Sequence, residues 1–224
     1  MFNFCISTAF TKCFRIFFLI ALYFLLTGFT FQQNRTTVFD VLPTDNDSIV
    51  FFGDSITHFC EWSELFSDRR IKNRGIGGDT TEGLLQRVHQ IVEMKPKTVF
   101  IMIGVNDVFS GFKTEIILSN YKKILDILLN KSGKTKIYVQ STLPVVSDDI
   151  AKSIEINNEI IKLNKGLSAM VSKLNNPNIK YIDLHNDFVM PGTGVLNFKY
   201  TVDGVHLSGS GYLLWKSLIK DYVK

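Results

Sequence analysis

The stretch Val50 to Thr57, VFFGDSIT, decides how the rest of the chain is read. A short apolar run stops at a glycine, and an acid and a hydroxyl follow at once. An apolar run closed by a turn signal suits a buried strand. Ile49 to Phe52 is therefore assigned to a strand, and Ile56 to Phe66 to a helix behind it. Ser55 stands at the junction, where a serine serves either as a helix cap or as a nucleophile.

The same alternation recurs along the chain. Ile71 to Ile76, Thr98 to Gly104, Lys136 to Ser141 and Ile179 to Leu184 read as further strands. Between them lie helical patterns over Thr80 to Met94, Lys113 to Asn130 and Asp148 to Leu174, and Ser208 to Val223 closes the chain. In the second of these, Ile117, Tyr121, Ile124, Leu125 and Leu128 recur at helical spacing. Five strands alternating with helices imply an α/β domain, a three-layer α/β/α sandwich around a five-stranded parallel sheet. The 224 residues suffice for one sizeable core.

The N-terminus is of another kind. Lys12 and Arg15 precede IFFLIALYFLL (Ile16 to Leu26), and the first 31 residues contain no acid. A positive segment before a short, strongly apolar run reads as a signal peptide or an N-terminal membrane anchor over residues 1–31. The expected location of the rest is outside the cytoplasm: secreted, periplasmic or anchored. Residues 32–47 read as a polar, aperiodic linker, and 48–224 as the folded domain. The formal charge is +4, and no charge run or basic patch stands out in the sequence, which argues against nucleic acid as a partner. Cys5, Cys13 and Cys60 fit neither a disulfide framework nor a zinc site.

In open parallel sheets, reactive groups gather where the strands end. Those ends are Gly53-Asp54-Ser55, Gly77-Gly78-Asp79 and Gly104-Val105-Asn106-Asp107, with Asp203-Gly204-Val205-His206 just before the last helix. Each has a plain structural reading: Asp79 or Thr80 can cap a helix, Asn106 and Asp107 can close a turn, and Ser208 can cap the final helix. Together they hold the parts of a serine hydrolase at one rim. Asp54 is expected to hold its turn by accepting from nearby amides. Asp183, His185 and Asp187 in DLHNDF form a rival acid–base or metal-ligating set. NKSGKT (Asn130 to Thr135) suggests a phosphate loop, but Leu128 replaces the required earlier glycine, and the element order around it is reversed. No Gly-x-Ser-x-Gly elbow occurs.

FFGDSIT, NRGIGGDTT, IGVND and VDGVH resemble the four ordered blocks of the SGNH (GDSL-type) hydrolases. Phe51 to Asp107 is similar to the platelet-activating-factor acetylhydrolase-like esterase branch, and WSELF and KPKTVFIMIG strengthen that similarity. The first block reads Gly-Asp-Ser-Ile, a conservative departure. The resemblance implies a flavodoxin-like fold, no metal and no cofactor. It implies Ser55 as nucleophile, His206 as general base and Asp203 as the acid that orients the imidazole. The oxyanion hole would be the N–H groups of Ser55 and Gly78 with the Asn106 amide. The implied activity is hydrolysis of small carboxylic esters, acetyl or other short acyl groups first, on a carbohydrate, lipid-like or other small alcohol. A lysophospholipase or thioesterase, or a catalytically silent membrane-tethered binding module, are the alternatives.

Overall fold

The computed structural model describes residues 32–224. Contacts divide the chain at Val41/Leu42. In the first unit the described residues form helix α1 over 32–41, where an aperiodic linker was expected. A side-chain pair one turn apart favours it: the Arg35 guanidinium lies 4.8 Å from the Phe39 ring centre. The expected signal or anchor over 1–31 lies outside the described residues. Among the described residues no helix is long and apolar enough to cross a membrane.

The second unit is built on five parallel strands: β1 (Ile49–Gly53), β2 (Ile71–Gly75), β3 (Thr98–Met102), β4 (Lys136–Gln140) and β5 (Ile179–Ile182). Their spatial order is β2-β1-β3-β4-β5. The order reverses between β1 and β3, and open sheets of this type leave a crevice at the carboxyl ends of those two strands. All five positions of β1 and of β3 are buried, as strands covered on both faces must be.

Strand alternation sorts the core into two layers. Ile49, Phe51, Phe100 and Met102 face one side, and Val50, Phe52, Val99 and Ile101 the other. On the first side Phe51 stacks on Trp62 at 3.9 Å and on Phe100 at 4.8 Å, and Trp215 meets Trp62 edge-on at 4.7 Å. This layer belongs to α2 (Ser55–His58), α3 (Trp62–Phe66) and α9 (Gly209–Ile219). The second layer is lined by α4 (Thr81–Met94), α6 (Thr114–Lys131) and most of α7 (Ile150–Leu174), with Leu84, Ile117, Tyr121 and Leu163 all fully buried. Two short helices complete the set: α5 (Val105–Phe109), and α8 (His185–Phe188) after β5.

The helix expected over Ile56 to Phe66 is broken into α2 and α3. A distant side chain breaks it: Asn73 Nδ2 donates to the carbonyls of both His58 and Cys60, and the Trp62 indole N–H donates to the Thr57 carbonyl. The final helix is α-helical only to Ile219 and ends in a 3₁₀ turn over Lys220–Tyr222.

Candidate active site

Ser55 opens α2 directly after β1. Asp54 is the cap: its Oδ1 accepts from the Ile56 N–H at 3.0 Å. Ser55 is thereby spared the capping role, and its hydroxyl, although the residue is 93% buried, meets another partner. That partner is His206 Nε2, at 2.8 Å. The other imidazole nitrogen, Nδ1, lies 2.6 Å from Asp203 Oδ2. A carboxylate only accepts, so Nδ1 carries the proton, and Nε2 is left to accept from the Ser55 hydroxyl. Serine, histidine and acid thus form one continuous chain.

The loop that delivers the last two residues is held by its own hydrogen bonds. Asp203 Oδ1 accepts from the N–H groups of Val205 and His206 at 3.0 and 2.7 Å. The Thr201 hydroxyl donates to the His206 carbonyl and accepts from the Gly204 N–H. Gly204 has a left-handed backbone (φ +90°), and a Cβ there would lie 1.9 Å from the Val146 carbonyl oxygen. Val146 in turn donates to the Gly204 carbonyl, pinning the loop to the segment after β4. At the opposite side of Ser55, the Tyr212 hydroxyl donates to the Ile56 carbonyl, tying α9 to α2.

The expected oxyanion donors occupy the neighbouring strand ends. Gly78 adopts φ +72°, a conformation that glycine enters without the cost imposed on other residues. Neither the Ser55 N–H nor the Gly78 N–H is engaged by another group among the described residues. Asn106 lies in the first turn of α5, behind β3. Its Nδ2 donates to the Asp79 carbonyl at 2.8 Å, which uses one amide hydrogen and leaves the second available.

Beneath this rim lies a polar cluster that sequence spacing did not announce. Arg87 of α4, 3% exposed, donates to Asp79 Oδ2 at 2.8 Å and to the carbonyls of Arg74 and Gly53 at 2.9 and 3.0 Å. It therefore joins the ends of β1 and β2 to the GIGGDT loop. Asp107 accepts from the Thr81 N–H and hydroxyl, tying α5 to α4. Burial, with the nearby Asp79 and Asp107 carboxylates, pushes the Asp54 carboxyl up to about 7 despite the bond from Ile56. Burial also raises Asp79 against the opposing pull of Arg87. At Asp203 burial acts upward too, but the bonds from the His206 ring and from the His206 and Val205 N–H groups outweigh it and hold the carboxyl below its ordinary range.

Two of the three rival residues, His185 and Asp183, have other partners. His185 Nδ1 faces the Thr142 carbonyl at 3.1 Å and Asn164 Nδ2 at 3.3 Å, and Asp183 accepts from the His185 N–H and from Asn186. No hydrogen bond joins this group to Ser55 among the described residues. Thr80 caps α4, and Ser208 caps α9.

A strand-end serine chained to a histidine and an acid, on a sheet of this order, defines the class: an esterase or lipase built on the GDSL/SGNH hydrolase fold. Residues 51–214 match the GDSL-like Lipase/Acylhydrolase family, and the chain belongs to that family. It is 28% identical over 187 residues to the human platelet-activating factor acetylhydrolase IB subunit alpha2, covering 81% of this chain and 77% of that protein. Among solved structures it resembles a GDSL-like lipase from Bacteroides thetaiotaomicron, with a TM-score of 0.73, 25% identity, and 86% and 96% of the two chains covered. A Bacteroides fragilis protein described as an acylhydrolase gives a TM-score of 0.73 at 26% identity over 85% and 94%. The expected fold class and family are thus found, and the protein is a hydrolase of the acylhydrolase type.

Proposed function

We propose that the protein hydrolyses carboxylic esters of short acyl groups, acetyl first among them, through an acyl-enzyme on Ser55. The observation that carries this reading is the unbroken chain from Ser55 Oγ through His206 to Asp203, at 2.8 and 2.6 Å. As Ser55 attacks the ester carbonyl, its proton passes to His206 Nε2, and Asp203 stabilises the imidazolium and keeps Nδ1 as donor. The carbonyl oxygen becomes an oxyanion facing the free N–H groups of Ser55 and Gly78 and the second hydrogen of Asn106. Collapse of this intermediate breaks the bond to the alkoxy oxygen, which takes the proton back from Nε2 and leaves as the alcohol. Water then repeats both steps on the acyl-enzyme, releasing the carboxylic acid and free Ser55.

The likeness to an acetylhydrolase subunit supports a short acyl group. The alcohol departs on the imidazole side, since Nε2 protonates it. The Phe59 ring, 59% exposed, stands there, 5.1 Å from the imidazole centre. That placement supports an alcohol with an apolar portion over a fully hydroxylated one. The apolar segment at 16–26, behind Lys12 and Arg15, supports export or outward anchoring of the domain.

Turnover of p-nitrophenyl acetate by the wild type, Ser55→Ala and His206→Ala tests the reading. Both variants are expected to lose several orders of magnitude in kcat while keeping the wild-type circular dichroism. Wild-type rates in either folded variant would overturn the assignment, and a folded wild type without turnover would favour a binding module.

A further inference from the structure

The oxyanion donors proposed above come from three separate segments: Ser55 after β1, Gly78 after β2 and Asn106 after β3. Such donors stabilise an oxyanion only when their spacing is set before the reaction begins. A displacement of about 1 Å can cost about 10²-fold in rate. The three segments must therefore be tied to one another.

The ties converge on Asp79. Its N–H donates to the Ile76 carbonyl at 3.2 Å and closes the turn that contains Gly78. Its carbonyl accepts from Asn106 Nδ2 at 2.8 Å, and its Oδ1 accepts from the Thr80 N–H at 2.9 Å. Its Oδ2 accepts from Arg87 Nε. Arg87 directs its other two nitrogens to the Arg74 carbonyl, near the end of β2, and to the Gly53 carbonyl, at the end of β1. The Gly53 carbonyl lies one peptide unit before the Ser55 N–H, and the Asp79 N–H one unit after that of Gly78. A guanidinium is a planar, rigid fork, so three contacts made by one such group fix the spacing of the chains that accept them. The fork is itself held: the Phe52 ring centre lies 4.5 Å from it. The carboxylate is held too, because a Cβ on Gly83 would overlap Asp79 Oδ1.

Packing alone does not call for this pair. The Arg87 and Asp79 side chains are only 3% and 8% exposed. Two charges buried together repay their desolvation poorly, and apolar residues of similar volume commonly serve stability as well. What an apolar pair lacks is the means to hold two carbonyls and a carboxylate at a set spacing. We infer that Arg87, through Asp79 and Gly53, is the positioning residue of the oxyanion hole, setting the Ser55 and Gly78 N–H groups and the Asn106 amide relative to one another. Arg87 touches no reacting atom and acts only through these donors. The inference rests on the esterase reading and deepens it, adding a residue of α4, a helix that supplies no catalytic group.

Steady-state hydrolysis of p-nitrophenyl acetate tests this, on the full-length wild type, Ser55→Ala, Arg87→Lys, and Arg87→Met combined with Asp79→Leu. Each protein is assayed well below its own melting temperature. Arg87→Lys keeps a charge beside Asp79 and loses the fork. Its kcat should fall about 10²-fold with KM within about twofold of the wild type, because the oxyanion exists only after attack. The apolar pair should lose at least as much in kcat while melting close to the wild type. Arg87→Lys with Asn106→Ala should lose less than the product of the single losses, since both act on one hole through Asp79. With Asp203→Asn, on the proton-transfer side, the losses should multiply. Wild-type kcat in folded Arg87→Lys or in the folded apolar pair, a raised KM with kcat unchanged, or losses that multiply with Asn106→Ala would each overturn the positioning role and leave Ser55 as nucleophile. Failure of both variants to fold would make the pair structural and overturn it as well. A wild type without turnover, or turnover that survives Ser55→Ala, would instead remove the esterase reading and this inference with it.

Discussion

Replacing Asp203 with asparagine probes how much of the machinery depends on a half-exposed acid. Asp203 Oδ2 lies 2.6 Å from His206 Nδ1, while Oδ1 accepts two backbone N–H groups. An asparagine can keep the backbone bonds through its carbonyl oxygen, so the loop should survive. Its amide then presents hydrogens to Nδ1 and favours the tautomer protonated at Nε2, which cannot accept from Ser55. Where a triad carboxylate is buried, this exchange lowers kcat by about ten-thousand-fold. Here half of the Asp203 side chain is in water, so its attraction for the imidazolium is screened and the amide is free to turn aside. The expected loss is therefore smaller, about 10²–10³-fold in kcat, with KM changed by about twofold at most. The assay is p-nitrophenyl acetate hydrolysis on protein whose melting temperature matches the wild type. A loss under about tenfold in folded protein would show that Asp203 does not orient the catalytic base.

Asn106→Ala removes an expected oxyanion donor and should lower kcat by about 10²–10³-fold with little change in KM; an unaltered kcat would place the oxyanion elsewhere. Asp54→Asn bears on stability through pH. The Asp54 carboxyl titrates at about 7 in the folded chain against 3.8 ordinarily, so the folded state holds the extra proton between those values. Its contribution is fully present below about pH 4 and is lost as pH rises towards 7, a decline on the order of a few kcal/mol. Urea denaturation of Asp54→Asn should lack that decline, and parallel curves for the two proteins would refute the burial argument. Phe59→Ala should raise KM several-fold for esters of apolar alcohols and leave acetate esters of small alcohols unaffected; equal effects on both would remove Phe59 from the alcohol side.

The fold, the three strand-end clusters and the loop cluster before the last helix were legible because each rests on short-range pattern. Apolar runs closed by glycine mark β1 and β3, helical spacing marks α6, and the Asp-x-x-His interval is short enough for a single loop to deliver both groups. What escaped the sequence depends on distant partners. Asn73 breaks the helix after Ser55 by taking two of its carbonyls, and no local pattern encodes that. Helices α5 and α8 are too short to show a period. Helix α1 carries a local Arg35–Phe39 pair within a polar stretch that shows no core-facing stripe. The assembly of Arg87, Asp79 and Asp107 beneath the rim exists only once the sheet is closed. A lone arginine between apolar positions on α4 was the available sign of it.

The most direct measurement is covalent: a fluorophosphonate probe reacted with the full-length protein, followed by peptide mass spectrometry. The account predicts one adduct, on Ser55, absent in Ser55→Ala and strongly slowed in His206→Ala. An adduct on another serine, or an unlabelled Ser55 in folded wild-type protein, would contradict it.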